Sequence, residues 1–284
     1  MSGRDRSGED NLETFTYTKE NLRKMQLIEL EMLREVDRIC RKHHIRYILD
    51  GGTLLGAVRY GGFIPWDDDT DVRMLRKDYD KFCKVCETEL SQNYFLQTYK
   101  TDPGYRWGYA RILKKGTIYK RKGQHKMKAK NGIFIDIFPD DNLPENRISK
   151  QFCTCLSWLC RKLLYSEVGA LNKSRFVSWC GFNILNIFPK EWGHRGMEYL
   201  SRKYEHVETG YVRCFAWGSK EETAGLKKQW YLDTEEIEFE GFMVVASKDR
   251  KGFLEHFYGK DYMTPPPEEK RMPGHTADYI DFGG

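Results

Sequence analysis

The sequence lacks the marks of an exported or membrane-spanning chain. The first twenty residues contain no continuous apolar stretch, which argues against a secretory signal peptide. Nowhere in the 284 residues is there an uncharged apolar run of about 18 residues, the length that a transmembrane helix needs. We therefore expect a cytoplasmic protein whose eight cysteines are reduced thiols.

A strong net charge and a complete zinc motif are also missing. The 47 basic and 42 acidic residues leave a net charge of +5, a mild excess that does not indicate a nucleic-acid partner. Cys83 and Cys86 form one CxxC within a helical pattern, and no second pair of ligands follows, so a structural zinc site is not favoured. No repeat or low-complexity linker divides the chain. We predict one domain over residues 16–284, after a mobile segment at 1–15.

The apolar pattern predicts a mixed α/β (α+β) fold. Apolar residues recur at three- and four-residue steps from about Thr18 to His43, which predicts an amphipathic helix capped by Thr18. Short strands are predicted at IRYIL, DTDVRM, YFLQTY, YARILKK and GIFIDIF, with a helix after the second. EIEFEGFMVVAS predicts a hairpin that turns at Glu240–Gly241, followed by a helix and a polar tail from about 263.

A helical insertion is predicted at about 148–225, and its part at 148–188 is apolar, aromatic and basic. We favour packing of these helices on the core, because apolar stripes on helices usually face a core. The alternative is a basic amphipathic surface that contacts the inner face of a membrane.

Acidic residues are concentrated in GFIPWDDDTDVRM, residues 62–74, which holds Asp67, Asp68, Asp69 and Asp71. If DTDVRM is a strand, alternation puts Asp69, Asp71 and Arg73 on one face. Val72 and Met74 then lie on the opposite, apolar face. Carboxylates two residues apart on a strand can converge on one Mg²⁺ or Mn²⁺ ion, and the cation relieves their mutual repulsion.

Asp136 interrupts the apolar strand IFIDIF. An ionised carboxylate there needs a partner, because burying it alone is costly. A metal ion shared with Asp69 and Asp71 supplies that partner, and the alternative is a turn cap or a pair with a lysine. An EF-hand is not favoured, because Val72 stands where that loop needs glycine and Asp78 where it needs glutamate.

A glycine turn precedes the acidic cluster. Gly51, Gly52 and Thr53 follow the first strand and open a helical turn. Backbone N–H groups at such a turn can bind phosphate, and glycine allows close approach of the ligand. A glycine turn, an Asp-x-Asp strand and a third acidic strand are together similar to the nucleotidyltransferase fold, related to the DNA polymerase β palm, in which three carboxylates hold Mg²⁺ against nucleotide phosphates.

ILDGGTLLGAVRYGGFIPWDDDTDVRM resembles the signature of the LicD family, which includes bacterial phosphorylcholine transferases and the fukutin-related proteins. The leading helix, GIFIDIFPDD and FYGKDYMTPPPEEKRMPGH are also similar to family segments, whereas 148–225 carries little recognisable signal. The resemblance implies transfer of a phospho-alcohol, foremost phosphorylcholine, from a CDP-activated donor such as CDP-choline. The acceptor would be a hydroxyl of a cell-surface glycan precursor of the teichoic acid, capsule or lipopolysaccharide type, and CMP would be released.

The resemblance also assigns site residues. Asp69 and Asp71 match the family's metal pair, and Asp136 matches the third carboxylate; these three are the expected catalytic residues. The turn 51–53 matches the family's glycine turn. The long gap between this turn and Asp69 leaves open whether Asp67 is the first ligand instead.

Further contacts with the donor follow as expectations. Asp136 is expected to accept the proton of the acceptor hydroxyl. Arg59 and Arg111 are candidate phosphate contacts, because a guanidinium can bind two phosphate oxygens. His275, in the C-terminal motif, is a further candidate contact with the donor. If choline is the cargo, its quaternary ammonium is expected to face one of three aromatic residues, Trp66, Trp107 or Tyr109.

Three other functions stay open. Within the same fold, the chain can be a CDP-ribitol or CDP-glycerol phosphotransferase, or a nucleotidyltransferase. From another class, it can be an inactive module that binds nucleotide or glycan. The acceptors of such transferases are often lipid-linked, and the segment 148–188 would then lie at the inner leaflet.

Overall fold

The computed structural model describes residues 15–121, 127–171, 176–275 and 277–283. Apart from its last residue, the segment predicted to be mobile at 1–15 lies outside these ranges. The longer helices are α1 (Lys19–His43), α2 (Gly51–Tyr60), α3 (Arg76–Glu89), α4 (Arg147–Gly169), α5 (Phe176–Asn186), α6 (Lys190–Lys203) and α9 (Arg250–Tyr258). Two short helices, α7 (Lys220–Ala224) and α8 (Gln229–Leu232), and a 3₁₀ turn at Glu268–Lys270 complete the helical elements of the described residues.

The strands are short except for one in the middle of the sheet. They are β1 (Ile48–Leu49), β2 (Asp71–Leu75), β3 (Tyr94–Gln97), β4 (Ala110–Lys114), β5 (Ile118–Arg121), β6 (Phe134–Asn142), β7 (Tyr211–Arg213), β8 (Leu226–Lys227), β9 (Thr234–Phe239), β10 (Phe242–Ser247) and β11 (Ala277–Asp281). The main sheet has the order β1-β2-β6-β4-β3, and β7 and β8 continue it from β6. Two further antiparallel pairs, the β9–β10 hairpin and the long-range pair β5–β11, form separate two-stranded sheets. The mixed α/β fold is as predicted.

The register of the sheet places polar side chains of three strands next to one another. β2 and β6 run parallel, with Asp71 opposite Asp136. β4 and β6 run antiparallel, with Arg111 opposite Asp136. Because paired residues point to the same side of a sheet, these three side chains share one face. The other face carries Val72 and Met74, which are fully buried as predicted.

Helix α1 begins and ends where the sequence predicts. The Thr18 side chain accepts a hydrogen bond from the backbone N–H of Asn21, and His44 ends the helix in the left-handed conformation. Two buried polar residues of α1 hold the acidic loop. The Gln26 amide donates to the carbonyl oxygens of Ile64 and Asp67. A second buried contact joins the Thr70 hydroxyl to the Glu29 carboxylate, at 3.1 Å.

Strand β2 differs from the prediction at its start. It begins at Asp71, so Asp69 lies in the preceding loop and does not share a strand face with Asp71 and Arg73. The β9–β10 hairpin does turn at Glu240–Gly241, and both residues have positive φ angles, 51° and 78°. The tail from 263 contains more structure than predicted, because β11 pairs with β5.

The helical insertion is only partly packed on the core. Helix α4 buries Cys153, Cys160 and Leu164 among others, and packs against α6. None of the residues of α5 is buried. The preferred prediction of core packing therefore holds for α4 and is wrong for α5.

A buried arginine joins this insertion to the sheet. The Arg73 guanidinium contacts three carboxylates, Asp50 at 2.6 Å, Asp140 at 2.9 Å and Glu222 of α7. Burial raises the pKa of Asp140 to about 7, and the charge of Arg73 opposes that rise. A single cation among three buried carboxylates fixes the end of β1, the centre of β2 and the C-terminal part of β6 together.

Candidate active site

Backbone hydrogen bonds fix the positions of the two strand carboxylates. The backbone N–H of Asp71 donates to the Thr53 hydroxyl at 2.9 Å. The backbone N–H of Asp136 donates to the carbonyl of Thr70 at 3.0 Å. Asp50 N–H, at the start of α2, donates to the Asp71 carbonyl at 3.0 Å. The glycine turn, β2 and β6 are therefore locked to one another at the point where Asp71 and Asp136 lie side by side.

The carboxylates of the acidic loop and of Asp71 lie close enough to influence one another's pKa values. Burial raises the pKa of Asp67, Asp69 and Asp71, and the charges of neighbouring carboxylates raise each further, whereas the His275 charge lowers that of Asp69. Asp136 adds to the rise for Asp69 and Asp71. Three predicted residues and Asp67 thus form one carboxylate cluster, which we call the Asp67–Asp136 cluster.

Asp68 has a different role from its neighbours. Its side chain is buried and accepts hydrogen bonds from the backbone N–H groups of Gly274, at 2.8 Å, and His275, at 3.1 Å. The His275 ring lies beside two carboxylates. Its Nδ1 is 3.4 Å from Asp68 Oδ1 and 3.5 Å from Asp69 Oδ2. The C-terminal motif is thereby anchored on the cluster, and His275 is placed at its edge.

The glycine turn leaves little space beside the cluster. Gly51 has a φ of +41°, and a Cβ added to Gly52 would lie 2.6 Å from Asp67 Oδ2. Gly52 is therefore needed for the close approach of Asp67. A Cβ on Gly51 would meet the Tyr258 hydroxyl at 3.4 Å, so this hydroxyl adjoins the turn. The first N–H groups of α2 have no partner within the helix and are available to an anion.

Arg111 is bound to Asp136 inside the site. Its Nε donates to Asp136 Oδ1 at 2.5 Å and its Nη2 to Oδ2 at 3.2 Å. Nη2 also donates to the Tyr109 hydroxyl at 3.3 Å, and the guanidinium carbon lies 3.9 Å from the ring centre of Phe134. This bidentate pair balances one of the clustered charges and orients Asp136. Contact of Arg111 with a phosphate stays a prediction.

Other predicted contacts lie further from the cluster. Arg59 is in the last turn of α2, about 12 Å along the helix axis from Gly51, and its Nη2 donates to the Thr264 carbonyl. None of the described contacts of Arg59 joins it to the carboxylates, so the geometry gives its predicted phosphate contact no support. The Trp66 ring has the Arg271 guanidinium over it at 5.3 Å. Trp107 stacks on Tyr165 in a neighbouring cavity.

Sequence reasoning missed several groups around the cluster. Burial and the charges of the cluster's aspartates raise the pKa of Glu29 and of Tyr258. The charge of Arg121 opposes the rise in the pKa of Asp69. Tyr258 belongs to the FYG of the C-terminal motif, so the resemblance of that motif to the family could have identified it. Glu29 and Arg121 are single charged residues in a helix and a strand, and neither has a local sequence feature that identifies it.

The donor set fits a hard divalent cation. Carboxylate oxygens are the ligands that Mg²⁺ and Mn²⁺ prefer, and a dication would stabilise the charged form that burial and neighbouring carboxylates disfavour. Among the described residues, no group of three or more His, Cys, Asp or Glu side chains already has the geometry of a metal site. The Arg111 pair is one physical reason, because it already engages both oxygens of Asp136.

The cluster should cost stability in the metal-free protein. Raised pKa values in the folded state mean that stability is greatest at low pH and is lost as the pH rises through those values. We expect Asp71→Asn to raise the melting temperature in EDTA at pH 8 by about 2–4 °C, the shift that about 1 kcal/mol produces in a chain of this size, because the variant removes one of the clustered charges. The variant should also show a weaker decline of melting temperature between pH 5 and pH 8, measured by differential scanning fluorimetry.

Asp233→Asn provides the matched control, because Asp233 is an exposed carboxylate at the end of α8. It should leave the melting temperature unchanged. Added Mg²⁺ should stabilise the wild type and the control more than Asp71→Asn. A lower melting temperature for Asp71→Asn in EDTA would show that the clustered charges do not oppose folding.

Comparison with known proteins identifies the family of the chain. The family described as LicD/FKTN/FKRP, nucleotidyltransferase domain, matches residues 44–156, which include the whole Asp67–Asp136 cluster. The lipopolysaccharide cholinephosphotransferase LicD of Haemophilus influenzae is 30% identical over 276 residues, covering 92% of this chain and 98% of that protein. An uncharacterized protein of Rickettsia typhi is 31% identical over 127 residues, which are 42% of this chain and 36% of that protein.

A shorter similarity joins the chain to a human protein. Ribitol 5-phosphate transferase FKRP of Homo sapiens is 43% identical over 53 residues, 17% of this chain and 11% of that protein. The near full-length match to the Haemophilus protein and the family match across the site agree with each other. The chain therefore belongs to the LicD/FKTN/FKRP family and is a phosphotransferase.

Proposed function

We propose that the chain transfers a phospho-alcohol, foremost phosphorylcholine, from a CDP-activated donor to a hydroxyl of a cell-surface glycan precursor. The observation that carries this proposal is the side-by-side placement of Asp71 and Asp136 on β2 and β6, next to the glycine turn that opens α2. The Haemophilus relative, whose name gives lipopolysaccharide cholinephosphotransfer, supports this cargo because its similarity spans nearly the whole chain. The local similarity to a ribitol 5-phosphate transferase supports ribitol as the second candidate cargo.

The residues divide the work of binding. Asp69 and Asp71, with Asp67 beside them, would hold Mg²⁺ or Mn²⁺, and Asp136 would complete the set. When bound there, a divalent cation would supply positive charge to the donor's diphosphate and to the departing CMP. The N–H groups at 51–53 bind diphosphate oxygens, and the Tyr258 hydroxyl lies beside them. Arg111 keeps Asp136 in a fixed orientation.

The reaction itself is a single displacement at phosphorus. The acceptor hydroxyl oxygen attacks the β-phosphorus of the donor, and the bond from that phosphorus to the bridging oxygen breaks, so that CMP leaves with the bridging oxygen. Asp136 takes the hydroxyl proton. Each carboxylate oxygen of Asp136 has two lone pairs, and Arg111 uses one of them. The ion pair with Arg111 therefore leaves Asp136 able to accept the proton. In-line attack requires the acceptor and the CMP to lie on opposite sides of the phosphorus.

A lipid-linked acceptor would bring the protein to a membrane surface. Residues 147–203 contain ten Lys or Arg and three Glu, a net charge of +7 against +5 for the whole chain, so the remaining residues together carry −2. The same segment exposes Ile148, Val177 and Ile187, which are 80%, 83% and 80% accessible. Apolar side chains among basic residues are typical of contact with anionic lipid. Among the described residues, no helix is long and apolar enough to cross a bilayer.

A substrate panel tests the reaction. Purified protein with Mg²⁺ should release CMP from CDP-choline faster than from CDP-ribitol, CDP-glycerol or CTP in the presence of a glycan acceptor, followed by chromatography. Asp71→Asn should lower this rate at least about a thousandfold, because it removes a charge that acts on the transition state. Asp233→Asn should keep the wild-type rate.

The other outcomes of the panel separate the alternatives. Consumption of CTP alone would identify a nucleotidyltransferase. Preference for CDP-ribitol would keep the reaction and change the cargo. Binding of a nucleotide without turnover, equal in the wild type and Asp71→Asn, would identify an inactive binding module and contradict the proposal.

Vesicle sedimentation tests the membrane surface. The wild type should sediment with vesicles of phosphatidylcholine and phosphatidylglycerol, and much less with phosphatidylcholine alone, because the segment 147–203 is cationic. A variant with Val177→Ser, Ile184→Ser and Ile187→Ser should lose this binding. A control with Leu27→Ser and Leu232→Ser, exposed on other elements, should keep it. Equal sedimentation of both variants would contradict a role for α5.

A further inference from the structure

A cavity of about 660 Å³ lies next to the Asp67–Asp136 cluster, on the side of β4. Its walls come from residues 106–109, from the middle of α4 and from residues 216–219, and Arg121 at the end of β5 closes one side. Tyr109 joins the cavity to the site, because its hydroxyl accepts a hydrogen bond from Arg111, which holds Asp136. The mechanism above gives this cavity no function.

The ionisable groups of the cavity wall, other than tyrosine, are all cationic. They are Arg106, Arg121, Arg161 and Lys162, and the described lining contains no Asp or Glu. Arg161 donates to two neutral carbonyl oxygens, those of Phe215 and Trp217, at 2.9 Å each. Arg121 Nε is buried and has no hydrogen-bond partner among the described residues. Arg106 is paired with Glu167 at 3.2 Å, whereas Arg121, Arg161 and Lys162 have no carboxylate partner among the described residues. This unpaired positive charge favours an anionic ligand.

Aromatic rings supply the apolar part of the wall. Trp107 and Tyr165 stack with ring centres 6.2 Å apart. Trp158 and Trp217 also line the cavity and are 53% and 46% accessible. A phosphate-bearing sugar matches both features, because the flat face of a sugar ring packs on aromatic rings while the phosphate meets the cations. A quaternary ammonium such as choline would be repelled by the three unpaired cations.

The order of the strands separates the cavity from the glycine turn. In the spatial order β1-β2-β6-β4, the glycine turn follows β1 and the strand carboxylates lie on β2 and β6. The cavity lies at β4. The carboxylates therefore lie between the two binding regions. Since in-line transfer needs the attacking and leaving oxygens on opposite sides of the phosphorus, a donor at the turn requires the acceptor to come from the cavity side.

We propose that this cavity binds a phosphorylated sugar of the acceptor and directs one of its hydroxyls at the carboxylates. This inference rests on the proposed function for its orientation. The binding itself does not require turnover, and it is therefore tested independently with a small probe. Glucose 1-phosphate serves as that probe, with unphosphorylated glucose for comparison.

Calorimetric titration provides the test. Glucose 1-phosphate should bind the wild-type protein at least tenfold more tightly than glucose. The double variant Arg161→Met, Lys162→Met should weaken this binding at least tenfold, whereas it should leave the affinity for CMP within twofold of the wild type. Lys150→Met, on α4 but outside the cavity lining, serves as the matched control and should keep both affinities.

Two results would overturn the inference. One is glucose 1-phosphate binding that the double variant leaves unchanged, since the cavity cations would then not hold the phosphate. The other is displacement of glucose 1-phosphate by CMP together with weaker CMP binding in the double variant, which would make the cavity the donor site. Asp71→Asn should retain glucose 1-phosphate binding, so a failure of the transferase reaction in the substrate panel remains distinguishable from a failure of the cavity.

Discussion

The structure depends on holding like charges together. Asp71 and Asp136 stand opposite each other because β2 and β6 pair in parallel at that register, and Asp67 and Asp69 are brought to them by the loop before β2. Burial, together with the charges of neighbouring carboxylates, raises the pKa of the three loop and strand aspartates, so the arrangement persists only because the surrounding structure enforces it. Perturbed pKa values of this kind are common at active sites.

Several separate elements hold the carboxylates in this arrangement. Helix α1 holds the loop through Gln26 and Glu29, and the C-terminal segment closes over it through the hydrogen bonds of Asp68. Further along β2, Arg73 binds carboxylates from three different parts of the chain. Removing one partner of such a buried group typically costs about 3–5 kcal/mol. The insertion is therefore coupled to the catalytic sheet by α7, although α5 itself is not packed on the core.

Local patterns in the sequence predicted the elements that bear the site. Helix α1, the strand with Asp136 and the Glu240–Gly241 turn follow from periodicity, alternation and turn chemistry, which act over a few neighbouring residues. Asp68 as an anchor, Arg121 at the cavity and the β5–β11 pair were not predicted, because each depends on partners far away in the chain. Likewise, the bidentate pair of Arg111 with Asp136 comes from strand register, which the sequence does not encode locally.

The two sides of the carboxylate cluster now have distinct assignments. The turn that opens α2 is proposed for the donor's diphosphate, and the cationic, aromatic cavity beyond β4 for the acceptor's phosphorylated sugar. The exposed apolar and basic surface of the insertion adjoins that cavity, because α4 contributes Trp158, Lys162 and Tyr165 to its wall. A lipid-linked acceptor lying in a bilayer would therefore reach the carboxylates from the side that we propose for membrane contact.

Electron paramagnetic resonance of bound Mn²⁺ tests the central claim most directly, because Mn²⁺ reports both its carboxylate ligands and nearby phosphorus. The account predicts one Mn²⁺ per chain in the presence of CDP-choline, a ³¹P hyperfine coupling from the diphosphate, and at least about tenfold weaker Mn²⁺ binding in Asp71→Asn. Mn²⁺ binding of equal strength in the variant, or a bound ion without ³¹P coupling, would contradict it.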